Sequence, residues 1–127
     1  MTPDQTSLFD LPPEAPEGFV CQAGFVSEQE GTALLDQLSA LPFEPFRFRG
    51  YEGRRRVASF GWKYDFTGPG LVEADPMPDW LLPLRARAEA FAGLAEGAFV
   101  HVLINEYRPG APIGWHRDRP AFDRIVG

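Results

Sequence analysis

Two side chains near the end of the printed sequence have the chemistry that holds a first-row metal ion. They occur in the tripeptide His116-Arg-Asp118. In an extended strand, residues two apart point to the same side, so the imidazole and the carboxylate converge on one point. A set of two histidines and one carboxylate leaves three positions open on one side of Fe(II). Alone, the tripeptide is weak evidence, because a surface strand with a His–Asp hydrogen bond has the same sequence.

A second polar pair precedes the first. Asn105 and Tyr107 lie two apart near the end of an apolar strand predicted for residues 99–107. An amide and a phenol at such a position are placed to hydrogen-bond a small polar ligand. The alternative is that both satisfy the following turn, residues 108–111 (Arg-Pro-Gly-Ala), in which Pro and Gly occupy the places that a type II turn requires.

Two helices are predicted to flank the strands. Ser27 and Glu30 form a capping box, which begins a helix with leucines at helical spacing that Pro42 ends. A short strand is predicted over residues 18–26, before this helix. A second helix is predicted from Asp79, as its cap, to about Phe91.

The remaining pattern is that of strands and loops. Residues 43–56 indicate a strand and a turn, residues 57–66 alternate as one strand, and residues 67–78 indicate a loop rich in Pro and Gly. After the predicted turn, residues 113–118 are again extended. One face of the alternating strand carries Ala58, Phe60, Trp62, Tyr64 and Phe66, and such a stripe is more often core than ligand site. The fold class predicted is α+β or mainly β, with two helices packed on antiparallel strands.

Composition indicates one globular domain preceded by a tail. The chain has 127 residues, of which 44% are hydrophobic, and a net charge of −6. Residues 1–17 carry four carboxylates and no base, and we expect a flexible acidic tail there and one domain over residues 18–127. Cys21 has no disulfide partner, and no membrane-length apolar run or signal peptide is seen, so we expect a cytoplasmic protein without membrane contact.

Positive charge is concentrated in one stretch. Residues 47–63 carry six bases against one acid, a local charge of +5. This stretch could contact an anionic partner, or it could be a solvated edge strand and turn.

The combined motif resembles the AlkB family of Fe(II)/2-oxoglutarate dioxygenases. The family pattern is Asn-x-Tyr, a Pro-Gly turn, an apolar residue and His-x-Asp, which matches Asn105-Glu-Tyr107-Arg-Pro-Gly and then Ile113-Gly-Trp-His116-Arg-Asp118. Residues 25–30 and the Arg-rich, aromatic stretch over residues 54–64 are also similar to the family. The resemblance covers about residues 18–127.

The resemblance implies a role for each matched residue. His116 and Asp118 would be catalytic and would bind Fe(II), and Asn105 and Tyr107 would hydrogen-bond 2-oxoglutarate. Residues 54–64 would meet the substrate, an alkylated DNA or RNA base. Within that stretch the substrate residues would be Arg56, Trp62 and Tyr64. The fold would be a double-stranded β-helix, a jelly-roll-like barrel with flanking N-terminal helices.

The reaction implied is an oxidative dealkylation. 2-Oxoglutarate and O₂ are consumed, a C–H bond next to nitrogen is hydroxylated, and the alkyl group leaves as an aldehyde.

Three features depart from the family pattern. Its second iron-binding histidine and 2-oxoglutarate-binding arginines follow His-x-Asp by some tens of residues, beyond Gly127, so we expect a fragment without its C-terminal strands that does not catalyse alone. His101 lies roughly 13 Å before Asn105 along a strand and matches no family ligand. Pro120 stands where several members carry an acidic residue, so base specificity does not transfer.

A tail motif and two further function classes remain open. Gln5-Thr-Ser-Leu-Phe9 resembles the peptide by which bacterial repair proteins bind the sliding clamp. Besides nucleic-acid dealkylation, the alternatives are a related oxygenase acting on protein or a small molecule, and a non-catalytic remnant that lacks the third iron ligand.

Overall fold

The structure, a computed structural model, describes residues 17–48, 51–66, 68–114 and 116–127. The chain divides into two compact units, one ending at Ala40 and one beginning at Leu41. The predicted acidic tail and the clamp-like motif lie outside the described residues, apart from residue 17.

The described residues of the first unit contain one helix. Helix α1 spans Glu28–Ser39, and its capping box is present as predicted: the Glu30 N–H donates to Ser27 Oγ at 3.1 Å, and the Ser27 N–H donates to Glu30 Oε1 at 3.2 Å. The strand predicted for residues 18–26 is wrong. Turns occupy that stretch, because Gly18 and Gly24 have φ of +83° and +68°, which a strand does not accommodate.

A three-stranded antiparallel sheet forms the centre of the second unit. Its strands are β1 (Glu44–Phe48), β2 (Tyr51–Phe60) and β5 (Val102–Glu106), in the order β1-β2-β5. The long strand β2 therefore has a neighbour on each side. Its register with β5 places Val57 opposite Asn105 and Arg56 opposite Glu106.

A hairpin of β3 (Trp62–Asp65) and β4 (Gly70–Glu73) forms a second sheet. Two predictions are corrected here: residues 57–66 are not one strand, and residues 67–78 are not entirely loop. Gly61 separates β2 from β3 with a φ of +77°, and its N–H and C=O bond to Asp75 and Ala74. The alternation in sequence cannot reveal this break, because the same alternation of larger apolar residues continues on both sides of Gly61.

The second helix begins later than predicted. A 3₁₀ turn spans Asp79–Leu81 and helix α2 spans Leu82–Phe91, with a proline in its first turn. Asp79 is not a side-chain cap, contrary to prediction; the turn is closed instead by the Leu81 N–H donating to the Pro78 carbonyl at 3.0 Å. Gly93, with a φ of +71°, follows the helix as predicted.

Glu89 is the most buried side chain of the part that the structure describes, with 1% of its surface exposed. The Phe99 N–H donates to its Oε2 at 2.8 Å, and this bond lowers the pKa of the Glu89 carboxyl despite its burial. Glu89 thereby joins α2 to the segment that leads into β5.

The segment after β5 begins with a turn, and its described residues form no strand. The predicted type II turn is confirmed, since the Ala111 N–H donates to the Arg108 carbonyl at 2.9 Å and Gly110 has a φ of +84°. No strand occurs in the described parts of residues 111–127, so a strand over residues 113–118 is not formed. The second unit is thus α+β with antiparallel sheets, and no helix in the described ranges is long and apolar enough to cross a bilayer.

Candidate functional site

A cleft of about 980 Å³ lies between one face of the three-stranded sheet, the strand β3 and the segment after the type II turn. The sheet contributes Val57 and Ser59 from β2 and Leu103 and Asn105 from β5. These four side chains share one face because residues two apart on a strand point to the same side. His116 and Asp118 line the same cleft, so the structure brings three of the four predicted chemical residues to one space.

His116 and Asp118 are close to each other. His116 Nε2 lies 3.4 Å from Asp118 Oδ1, and each side chain is 52% exposed. Their convergence was expected from the spacing of a strand, although the segment is not a regular strand.

A backbone carbonyl fixes the orientation of the His116 ring. His116 Nδ1 lies 2.8 Å from the Gly114 carbonyl oxygen. A carbonyl only accepts, so this bond requires the proton on Nδ1, and in the neutral ring Nε2 then presents a lone pair. Metal-binding histidines are held by this kind of Nδ1–H bond.

A third ligand is not found beside this pair. No group of three or more His, Cys, Asp or Glu in the described ranges could hold a metal ion. His116 and Asp118 therefore stand as two donors without a third among the described residues.

Asn105 and Tyr107 are placed differently from each other. Asn105 lies in β5 and lines the cleft. Tyr107 follows the strand, is 42% exposed, and its hydroxyl lies 3.5 Å from Arg55 Nη1, which is a long hydrogen bond. Arg55 itself lines the cleft, so the phenol stands at its border.

One side of the cleft is a cluster of aromatic rings. Tyr64 packs against Phe66 with centroids 4.8 Å apart and against Phe122 at 6.2 Å, and Phe66 meets Phe46 edge-on at 5.5 Å. The His101 ring stacks on Phe122 at 4.9 Å. The burial of His101 lowers the pKa of its imidazole, which is therefore neutral at neutral pH. The sequence indicated Tyr64 but not Phe122 or His101, because ring contacts between distant segments leave no local signal.

Guanidinium groups cover several of these rings. Arg119 Cζ lies 5.5 Å from the Tyr64 centroid and 5.1 Å from that of Phe66, and Arg55 Cζ lies 3.9 Å from that of Phe46. Arg55 belongs to the stretch over residues 54–64 that was predicted to meet substrate. Arg119, which directly follows the predicted metal ligand Asp118, was not singled out from the sequence. Both line the cleft.

Arg56 and Trp62, predicted to meet substrate, do not line the cleft. Arg56 pairs with Glu106 through two bonds, Nε to Oε1 at 2.7 Å and Nη2 to Oε2 at 2.8 Å, across directly opposed strand positions. Arg54, Arg55 and Val57 of β2 line the cleft, whereas Arg56 is held by Glu106. Trp62 follows the Gly61 break and is 36% exposed.

The cleft is positively charged in an acidic molecule. Six cationic side chains line it against three carboxylates, a formal charge of +3, while the whole chain carries −6. The cations are Arg47, Arg54, Arg55, Lys63, Arg117 and Arg119, and the carboxylates are Glu44, Asp65 and Asp118. Such a distribution favours an anionic ligand.

Comparison with known proteins identifies a curated relative. The chain is 34% identical over 113 residues to a protein of Danio rerio named "Probable RNA/DNA demethylase ALKBH6". The match covers 89% of this chain and 46% of that protein, so the chain spans about half the length of the curated relative it matches. No family model matches the chain.

Proposed function

We propose that this chain belongs to the AlkB-like Fe(II)/2-oxoglutarate oxygenases and supplies the metal-binding and co-substrate-binding part of an enzyme that removes alkyl groups from nucleic-acid bases. The observation that carries the proposal is the His116–Asp118 pair, with Nε2 turned toward the carboxylate by the Gly114 carbonyl, in the same cleft as Asn105. The similarity to a protein named as a probable RNA/DNA demethylase supports the same assignment.

The donor set fits the proposed metal. One imidazole nitrogen and one carboxylate oxygen are ligands that Fe(II) accepts, and a further histidine would complete the set that leaves three positions open. When bound, Fe(II) with 2-oxoglutarate would activate O₂, which is the oxidant for hydroxylation of a C–H bond next to nitrogen. His116 and Asp118 would hold the ion, and the Gly114 carbonyl keeps His116 Nε2 available by holding the ring proton on Nδ1.

Asn105 and Tyr107 would orient 2-oxoglutarate. The Asn105 amide donates from inside the cleft, and the Tyr107 hydroxyl stands beside the Arg55 guanidinium, which favours an anionic oxygen there. The double-stranded β-helix remains the fold that we propose for the complete oxygenase, with the two antiparallel sheets of this chain as part of it.

The nucleic-acid substrate is supported by the composition of the cleft. Aromatic rings that stack on bases and cationic side chains that meet phosphates together form the usual surface for single-stranded nucleic acid. Tyr64, on the inner wall, is the stacking residue that we favour; Arg56 and Trp62 would contact substrate only where it extends beyond the cleft.

A comparison of the two histidines in the presence of a metal ion tests the proposal. We expect Co(II), used as a paramagnetic substitute for Fe(II), to broaden the ring-proton NMR signals of His116 more than those of His101, and added 2-oxoglutarate to tighten binding. Asp118→Ala should weaken the binding and remove the effect of 2-oxoglutarate.

The matched control is His101→Gln, which removes the other histidine of the chain and should leave Co(II) binding unchanged. Equal broadening of both histidines, or Co(II) binding that does not respond to Asp118→Ala, would contradict the proposed metal site.

The sliding clamp is retained as a proposed partner through Gln5-Thr-Ser-Leu-Phe9, on the strength of the sequence alone. Deletion of residues 1–10 should abolish capture of the chain on immobilised clamp, and unchanged capture would remove the idea.

A further inference from the structure

We propose that the cleft selects alkylated bases that carry no positive charge and discriminates against cationic ones. This inference rests on the proposed function and names the class of base that the same site accepts. It follows from the guanidinium groups on the aromatic wall and from the charge balance of the cleft.

The first step concerns the faces of the aromatic rings. A cationic base gains most from a ring whose face is open to it, through the attraction between a cation and the ring's negative face. In this cleft, Arg119 lies over both Tyr64 and Phe66, and Arg55 lies over Phe46. Each of these three rings already has an arginine guanidinium of the protein close to it. A cationic base that approached the same rings would be repelled by those guanidinium groups.

The second step concerns the carboxylates that would neutralise a cationic base. Three line the cleft, and one of them, Asp118, is assigned to the metal. Asp65 and Glu44 are then left to offset the charge of the six cationic side chains that line the cleft. A base with a positive charge would therefore be held in a field of its own sign.

The third step concerns what a neutral base would gain. The stacked pair of His101 and Phe122 lies on the same wall, and its imidazole is uncharged at neutral pH. Stacking on such rings does not require charge, because every base has a π-face. Arginine N–H groups also donate hydrogen bonds to the carbonyl oxygens of a neutral alkylated base. Arg119 lies beside Tyr64, where it would donate such a bond.

A pair of ligands of nearly equal shape tests the inference. 3-Methyluracil is neutral and 3-methylcytosine is cationic at neutral pH, and they differ in one exocyclic group. Placed in otherwise identical short single-stranded oligonucleotides and measured by fluorescence anisotropy with this chain, the neutral base should bind about five- to tenfold more tightly.

Substitution of Arg119 identifies the cause. Arg119→Gln should bring the two affinities to within about twofold, and Arg119→Glu should favour 3-methylcytosine, since a cation over the rings is then replaced by an anion. The control Arg124→Gln removes an exposed cation two residues after Phe122 and should keep the wild-type preference. Circular dichroism shows whether each variant retains its fold; if Arg119→Glu unfolds, Arg119→Gln alone decides.

Three outcomes separate this inference from the proposed function. Preference for the neutral base that depends on Arg119 supports it. Tight binding of both methylated bases without preference, or preference for the cation, overturns it while leaving the proposed function standing. Binding of methylated and unmethylated oligonucleotides with equal affinity counts against the inference and the proposed function together.

Discussion

Hydrogen bonds with backbone groups position the side chains of His116 and Glu89. The Gly114 carbonyl accepts from His116 Nδ1, and the Phe99 N–H donates to the buried Glu89 carboxylate. A backbone group moves only when its segment moves, so each contact ties one side chain to the course of the chain. At His116 the result is a lone pair aimed at Asp118, and at Glu89 it is a fixed connection from α2 toward β5.

Glu89→Gln should reduce stability in a pH-dependent way. The pKa of Glu89 is below its ordinary value of 4.5 in the folded chain, chiefly through the Phe99 N–H. A lowered pKa means that the ionised group stabilises the fold at pH values above 4.5 and that this contribution is lost as the pH falls through the folded pKa.

Urea unfolding from about pH 7 to about pH 3 measures this effect. The gap in stability between the wild type and Glu89→Gln should narrow toward acid. Glu96→Gln, an exposed carboxamide substitution in the following segment, should unfold like the wild type. A gap of constant size across the range would contradict the assigned role of the carboxylate.

At the scale of elements, Gly61 decides how the β-structure is divided. It allows the chain to leave the three-stranded sheet after Phe60 and enter the hairpin at Trp62. Because of this change of sheet, Tyr64 lies on the inner wall of the cleft. In an unbroken strand, the position of Tyr64 would instead have followed the alternation of β2.

Gly61→Ala should therefore be severe. A Cβ at this position would lie 1.9 Å from the Val100 carbonyl oxygen, and the residue has a φ of +77°. We expect a loss of more than about 3 kcal/mol in urea unfolding, or failure to fold.

Gly93→Ala is the matched control. Gly93 also has a positive φ, +71°, but a Cβ there meets nothing within 4 Å. Its substitution should cost only the conformational term, about 1 kcal/mol. Equal losses at both glycines would show that close packing against Val100 does not matter.

At the scale of the whole molecule, the cleft and the complete chain carry net charges of opposite sign. A chain of net charge −6 presents a cleft of +3. Long-range repulsion from the acidic surface opposes non-specific binding of polyanions, while the cleft attracts a strand that enters it. We therefore expect binding of single-stranded nucleic acid to be local and dependent on salt.

Salt dependence of oligonucleotide affinity measures how many cleft cations meet phosphates. Each phosphate contact with a single strand contributes about −0.7 to the slope of log affinity against log salt. Lys63→Gln should make the slope shallower by about this amount if Lys63 meets a phosphate, as its place in the cleft suggests. Arg108→Gln, which removes a cation outside the cleft beside Glu106, should leave the slope unchanged.

Local features of the fold were determined by the sequence itself. The capping box of α1, the type II turn at residues 108–111 and the shared direction of His116 and Asp118 were all predicted. Each depends on residues within a few positions of one another, whose hydrogen bonds and backbone angles are set by neighbouring side chains.

What the tertiary structure decided involves residues far apart in the chain. The division of residues 57–66 between two sheets depends on the approach of Gly61 to Val100, and the pairing of Arg56 with Glu106 depends on the register of β2 and β5. The stack of His101 on Phe122 likewise joins distant segments. Contacts of this kind arise from packing, which no periodicity within one segment encodes, and they determine which arginines and rings face the cleft.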